Sequence, residues 1–255
     1  MKFALIGYGR MGRAIEAAAR DRGHDLVAIV DPAAEGRRVR RRFDPRALGG
    51  AAVAFEFTKP STAESNVIRL LEADVAVVCG TTGWTPGSAE LKRAVRASKA
   101  GAIVAPNFSV GMNLFYLAVG EAARVAGRSG LYDAFVLEAH HRGKVDAPSG
   151  TAARLASIVQ DAAPTYSKIE FGCPDEGAVS PGAVHVASVR AGHEPGTHTV
   201  GFDGPFDQIT LTHRGRGRGG LALGAVLAGE WIGKRRGLHG FDRVLKDYLG
   251  KGGRR

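Results

Sequence analysis

Short apolar runs alternate with amphipathic stretches along the first part of the chain. Lys2–Ile6 is one such run, and a helical period follows it to about residue 20. A second run, residues 26–30, ends in Asp31, and others lie at 52–57, 75–79 and 102–105, separated by helical patterns at 62–72 and 88–98. Strands buried on both faces of a parallel sheet read in this way, and their alternation with helices predicts a doubly wound, Rossmann-like α/β sheet. Past residue 108 the pattern changes. A long helix is expected at 113–126, a strand at 134–138 and a helix at 152–161. Residues 185–189, 197–202 and 208–213 alternate in a period of two, which predicts a second, α+β domain with a mixed or antiparallel sheet. Helices at 221–232 and 240–249 would return to the first domain, which is expected to comprise 1–108 and 219–255, with 109–218 as the second. The glycine- and arginine-rich stretch 215–220 reads as the most flexible segment.

Length and composition narrow the class. The 255 residues suffice for two ordinary domains, 44% hydrophobic and 24% charged is a globular balance, and no apolar run is long enough to span a bilayer. Two cysteines, Cys79 and Cys173, make no disulfide framework, and a cytoplasmic location is expected. The net charge of +10 and the crowding of Arg37, Arg38, Arg40, Arg41, Arg42 and Arg46 raise nucleic-acid binding as an alternative. The basic residues are otherwise spread along the chain and no zinc, helix-turn-helix or RNA-binding signature accompanies them, so anionic small molecules are the expected partners.

Gly7-Tyr-Gly-Arg-Met-Gly12 directly follows the first run and opens a helix. In such a turn Gly7 permits the bend, Gly9 lets backbone approach a pyrophosphate, Gly12 lets helix and strand pack, and the helix N-terminus faces the phosphates. Asp31, nineteen residues beyond Gly12, is placed to accept ribose hydroxyls. The arginines that follow would attract a 2′-phosphate, so NADH and NADPH both remain open. Gly80-Thr-Thr-Gly83 and Ala105-Pro-Asn-Phe-Ser109 follow two further strands at the edge where open α/β sheets bind ligands, and they are expected to face the nicotinamide.

The densest chemistry is Glu138-Ala-His-His-Arg-Gly-Lys-Val-Asp-Ala-Pro-Ser-Gly-Thr151. Ser149 reads as the N-cap of the next helix, with the N–H groups of Gly150 and Thr151 open to an anion. Lys144 can pair with a second carboxylate. His140 and His141 point to opposite faces if the strand runs through them, and one histidine suits proton donation. A metal is the competing reading, but adjacent strand histidines rarely chelate one ion and the lysine would repel it, so no metal is expected.

These residues make the chain resemble the 4-hydroxy-tetrahydrodipicolinate (dihydrodipicolinate) reductases of lysine and diaminopimelate biosynthesis. Supporting motifs are Gly9-Arg-Met-Gly12, Phe57-Thr-Lys-Pro60, Gly80-Thr-Thr-Gly83, Asn107-Phe-Ser-Val-Gly-Met-Asn113, Arg190-Ala-Gly192, His213, and Arg218 followed by Ala222-Leu-Gly-Ala225 and Trp231. The resemblance implies an NADH- or NADPH-dependent reduction of a cyclic dicarboxylate. His140 corresponds to the proton donor and Lys144 to a second catalytic and substrate-binding group. His141, Ser149, Gly150 and Thr151 correspond to holders of the substrate carboxylates. Gly7, Met11, Gly12, Asp31, Gly80, Thr82, Ala105 and Phe108 correspond to cofactor contacts, to which the turns add Gly9, Thr81 and Asn107. A homotetramer assembled through the second domain, and closure of the domains on substrate, are also implied. The chain departs from the family's pattern in its tighter glycine turn, in Glu56 where aspartate is common, in Gly143, and in the arginine run. Another dehydrogenase acting on an amino-acid-like dicarboxylate is the runner-up.

Overall fold

A computed structural model describes residues 1–173 and 177–250. It divides into two compact units, one of residues 1–110 and 218–255 and the other of residues 111–217. The first is built from β1 (Lys2–Ile6), α1 (Arg10–Asp21), β2 (Asp25–Val30), β3 (Val39–Arg40), β4 (Val53–Glu56), α2 (Pro60–Glu72), β5 (Ala76–Cys79), α3 (Ala89–Ala97) and β6 (Gly101–Val104). The second follows with α4 (Val110–Ser129), β7 (Asp133–His140), α5 (Gly150–Ala162), β8 (Lys168–Phe171), β9 (Ala183–Arg190), β10 (Thr197–Asp203) and β11 (Gln208–Arg214). The chain then rejoins the first unit through α6 (Gly219–Ile232), β12 (Gly237–His239) and α7 (Phe241–Gly250).

The first sheet has the order β12-β6-β5-β4-β1-β2-β3 and every pairing in it is parallel. The order reverses between β1 and β4, which is the switch point where such sheets bind ligands. Each residue of β4 and β5 is buried, because helices cover both faces. Phe3 and Phe55 meet edge to face at 5.7 Å in this core. Helix α6 is apolar nearly all round, and its Gly229 lets Phe55 approach where a Cβ would come within 2.8 Å of the ring.

The second sheet, β11-β10-β7-β9-β8, is mixed: β7, β8 and β9 run parallel, while β10 is antiparallel to β7 and β11. Alternation sorts its faces. Ala134 and Val136 of β7, Val184 and Val186 of β9, and Val200 and Phe202 of β10 pack with Met112, Phe115 and Val119 of α4 and Leu155 and Val159 of α5.

Several expectations are corrected. Helix α4 begins three residues before its apolar periodicity and ends three after it, and β7 runs on through Ala139 and His140. Gly219 and Gly220, read as part of a flexible loop, form the first turn of α6. Strands β3, β8 and β12 were not expected. At two to four residues they are too short to show a period, and pairing to a longer neighbour creates them. The β3 case places Val39 and Arg40, within the arginine run, on an edge strand beside β2.

Candidate active site

The glycine turn sits at the C-terminal end of β1. Gly7 has φ +93°, and a Cβ there would lie 2.3 Å from the Phe57 carbonyl oxygen. At Gly12 a Cβ would lie 2.4 Å from the carbonyl oxygen of Gly7, so the turn and helix α1 touch through backbone. Gly9, the N-cap of α1, has open space where its side chain would be, and Met11 follows in the first turn. A cradle that only glycine permits, open at the N-terminus of a helix, fits the pyrophosphate of a dinucleotide. Asp31 anchors the turn: its Oδ2 accepts the N–H of Tyr8 at 2.7 Å and its Oδ1 the N–H of Ala33 at 2.8 Å. The Asp31 N–H in turn donates to the carbonyl of Arg40 in the neighbouring edge strand at 3.1 Å.

The loops after β4, β5 and β6 end at the same sheet edge. Glu56, wholly buried, ties the first two together. Its carboxylate accepts from Thr81 Oγ1 (2.6 Å), Cys79 Sγ (3.2 Å), Asn66 Nδ2 (3.2 Å) and the Thr58 hydroxyl, while Thr81 Oγ1 accepts the N–H of Thr58 at 2.8 Å. Burial, with the charge of Glu56, pushes the Cys79 thiol far up, so it is no nucleophile. Two residues expected at the cofactor turn inward. The Thr81 hydroxyl belongs to this cluster, and Phe108 is 2% exposed with its ring against Phe57 and Phe241. Gly80, Thr82, Ala105 and Asn107 lie on the same loops.

In the second unit the core face of the sheet becomes polar where the helices end. Alternation that places Ala134 and Val136 in the core carries Glu138 and His140 onto the same face. Register brings Ser188 and Arg190 of β9 opposite Glu138 and His140, and His198 of β10 opposite Glu138 from the other side. Glu138 is 0% exposed. Its Oε1 accepts from Arg190 Nη2 at 2.6 Å and from the Ser149 N–H at 3.2 Å, and its Oε2 meets His140 Nδ1. Burial alone would raise this carboxyl, but hydrogen bonds from Arg190, Ser188, the Ser149 backbone and His140 outweigh it and hold it at about 2. His198 is pushed down to about 4, first by burial and then by the charge of His140, so it is neutral near pH 7. Its ring meets that of His140 edge to face at 5.1 Å, and its Nε2 lies 3.3 Å from Ser149 Oγ.

Ser149 caps α5, its Oγ accepting the N–H of Ala152 at 3.2 Å. The Lys144 ammonium donates to Asp146 Oδ1 at 2.7 Å, and the Gly150 N–H also reaches the Asp146 carboxylate, so both expected anion holders already hold a carboxylate. The Thr151 hydroxyl pairs with Tyr116 of α4. His141, just past β7, is exposed and stands outside the cluster around Glu138. Glu138, His140 and His198 offer ligand-type atoms within 4.8 Å of one another. Arg190 on the same carboxylate already supplies the positive charge a metal ion would bring. Sequence reading missed roles for Glu138, Arg190 and His198. The signal for His198 was its place in the alternation with Val200 and Phe202, which puts it on the core face.

A parallel sheet with a glycine-turn dinucleotide cradle, followed by a mixed-sheet unit bearing a buried His-Glu-Arg cluster, defines a nicotinamide-dependent oxidoreductase. The family description "Dihydrodipicolinate reductase, N-terminus" matches residues 1–108, and "Dihydrodipicolinate reductase, C-terminus" matches residues 111–245. The chain is 34% identical over 247 residues to 4-hydroxy-tetrahydrodipicolinate reductase of Christiangramia forsetii, covering 97% of this chain and 98% of that one. It is 37% identical over 257 residues to the Laribacter hongkongensis enzyme of the same name, covering 93% and 94%. The structure of a dipicolinate-bound dihydrodipicolinate reductase from Paenisporosarcina sp. TG-14 superposes with a TM-score of 0.76 at 25% identity, covering 94% and 97%. This chain belongs to the dihydrodipicolinate reductase family.

Proposed function

We propose that the protein reduces 4-hydroxy-tetrahydrodipicolinate to tetrahydrodipicolinate, with loss of water and oxidation of NADH or NADPH. The observation that carries this reading is the placement of His140, Lys144 and the capped start of α5 around one polar end of the second sheet. Dipicolinate bound to the Paenisporosarcina enzyme supports a cyclic dicarboxylate as ligand.

When bound, the dinucleotide supplies hydride. The chain's residues do the rest. Gly7, Gly9 and Gly12 with the N-terminus of α1 would hold its pyrophosphate, and Asp31 would take ribose hydroxyls. Lys144 and the N–H groups of Gly150 and Thr151 hold the substrate carboxylates, exchanging Asp146 for one of them, with Ser149 fixing the helix start and exposed His141 at the rim. Hydride addition to a conjugated ring builds electron density at the far end, and His140 protonates it from Nε2. Arg41 and Arg42 continue from β3 beside Asp31, which supports acceptance of the 2′-phosphate as well as the free ribose.

The outer face of the second sheet carries half-buried Phe135 and exposed Leu137 and Val189, which supports assembly into a homotetramer through this face. No helix among the described residues is long and apolar enough to cross a membrane. We place the enzyme in the cytoplasm, where the thiols of Cys79 and Cys173 stay reduced. The test is purified protein with freshly generated substrate and each reduced coenzyme side by side. Substrate-dependent loss of reduced-nicotinamide absorbance is expected with both, and none with either would refute the assignment.

A further inference from the structure

Glu138 holds more partners than an ion pair needs. It is wholly buried two residues before His140 on the same strand face. One oxygen holds Arg190 and the N–H of the α5 cap, and the other holds His140 Nδ1. Arg190 also donates to the Asp146 carbonyl at 2.6 Å, so one guanidinium braces both the carboxylate and the loop that carries Lys144. The opposite side of the His140 ring faces Gly196. That residue has φ +135°, and a Cβ there would come within 3.0 Å of His140 Nε2. The glycine keeps a side chain off Nε2 on that side, while Glu138 occupies Nδ1.

We propose that Glu138, braced by Arg190, is a positioning residue that grips His140 through Nδ1–H so that Nε2 alone delivers the proton. A carboxylate only accepts hydrogen bonds, so it selects the ring form with a proton on Nδ1. After Nε2 gives up its proton, the neutral ring is left in the tautomer Glu138 favours. A glutamine at 138 presents an N–H to Nδ1. The neutral ring then keeps its proton on Nε2, where it is a poor acid, as when the carboxylate behind a catalytic histidine is replaced by an amide.

The inference rests on His140 as proton donor, and the tests separate the two. In the wild-type protein, 15N NMR of labelled histidine, assigned with His140→Asn, should show neutral His140 protonated on Nδ1; protonation on Nε2 would overturn the proposal whatever any variant does. Glu138→Gln should lose about 10²-fold or more in kcat, with KM and coenzyme Kd within about threefold and an unchanged circular dichroism spectrum. If His140→Ala collapses turnover while Glu138→Gln leaves kcat intact, the positioning role fails alone. If His140→Ala itself turns over normally, the proton-donor reading fails first. A glutamine variant that does not fold leaves the wild-type tautomer as the deciding result.

Discussion

Lys144 Nζ lies 2.7 Å from Asp146 Oδ1, two residues along the same loop. The carboxylate is held below its ordinary range, first by Lys144 and also by the Gly150 N–H. In the proposed function Asp146 occupies the place of a substrate carboxylate, and more than half its side chain is exposed, so it can swing out. An exposed pair of this kind contributes about 0.2–1 kcal/mol. Asp146→Asn should therefore lower the substrate KM by about twofold to fivefold, with kcat little changed. A higher KM in steady-state kinetics would mean that Asp146 positions Lys144 rather than competes for it.

Ser149 joins the helix cap to the histidine cluster, and it is 2% exposed. Ser149→Ala removes the acceptor for the Ala152 N–H and the contact with His198 Nε2. A lost cap costs about 1 kcal/mol, so the thermal midpoint should fall by about 2–4 °C. Calorimetry showing no change would remove the cap from the account.

Gly12→Ala tests the dinucleotide cradle. The new methyl would meet the Gly7 carbonyl oxygen at 2.4 Å, and backbone on both sides must move. Coenzyme Kd, followed by fluorescence of the reduced nicotinamide, should rise more than about tenfold. An unchanged Kd would place the pyrophosphate elsewhere.

Acid stability follows from two buried groups. His198 falls from 6.5 unfolded to about 4 folded, so the unfolded chain takes up its proton first. Stability from this group is complete above pH 6.5 and drains away as pH falls toward 4, at about 1.4 kcal/mol per pH unit. Glu138 falls from 4.5 to about 2, so its contribution is complete above 4.5 and drains away below it. Denaturant midpoints should decline in two stages, beginning near pH 6.5. His198→Gln should flatten the first stage, and an unaltered slope would contradict this assignment.

The central strands β1, β2, β4, β5 and β6 of the first sheet were legible because they are continuous apolar runs, whereas the edge strands β3 and β12 were not. The glycine turn was legible because its spacing is local. Ser149 was legible as a cap for the same reason. What spacing does not carry is register. His198 is sixty residues from Glu138 in sequence yet pairs with it directly, and Arg190 sits opposite His140 only because β9 runs parallel to β7. His141 was expected to face away from His140 if the strand ran through both; the strand ends at His140 and His141 lies exposed just beyond it. Thr81 and Phe108 matched cofactor positions by motif, while burial turned their side chains to Glu56 and to the core.

The claim that this polar end of the second sheet is catalytic is tested most directly by comparing His140→Ala and Lys144→Ala with wild type in the reductase assay, using saturating coenzyme and varied substrate. His140→Ala is predicted to lose about 10²–10⁴-fold in kcat with a nearly unchanged KM. Lys144→Ala is predicted to raise KM strongly and lower kcat/KM, with coenzyme Kd unaffected in both. Near-normal turnover in the two variants would contradict the account and move the chemistry to another part of the molecule.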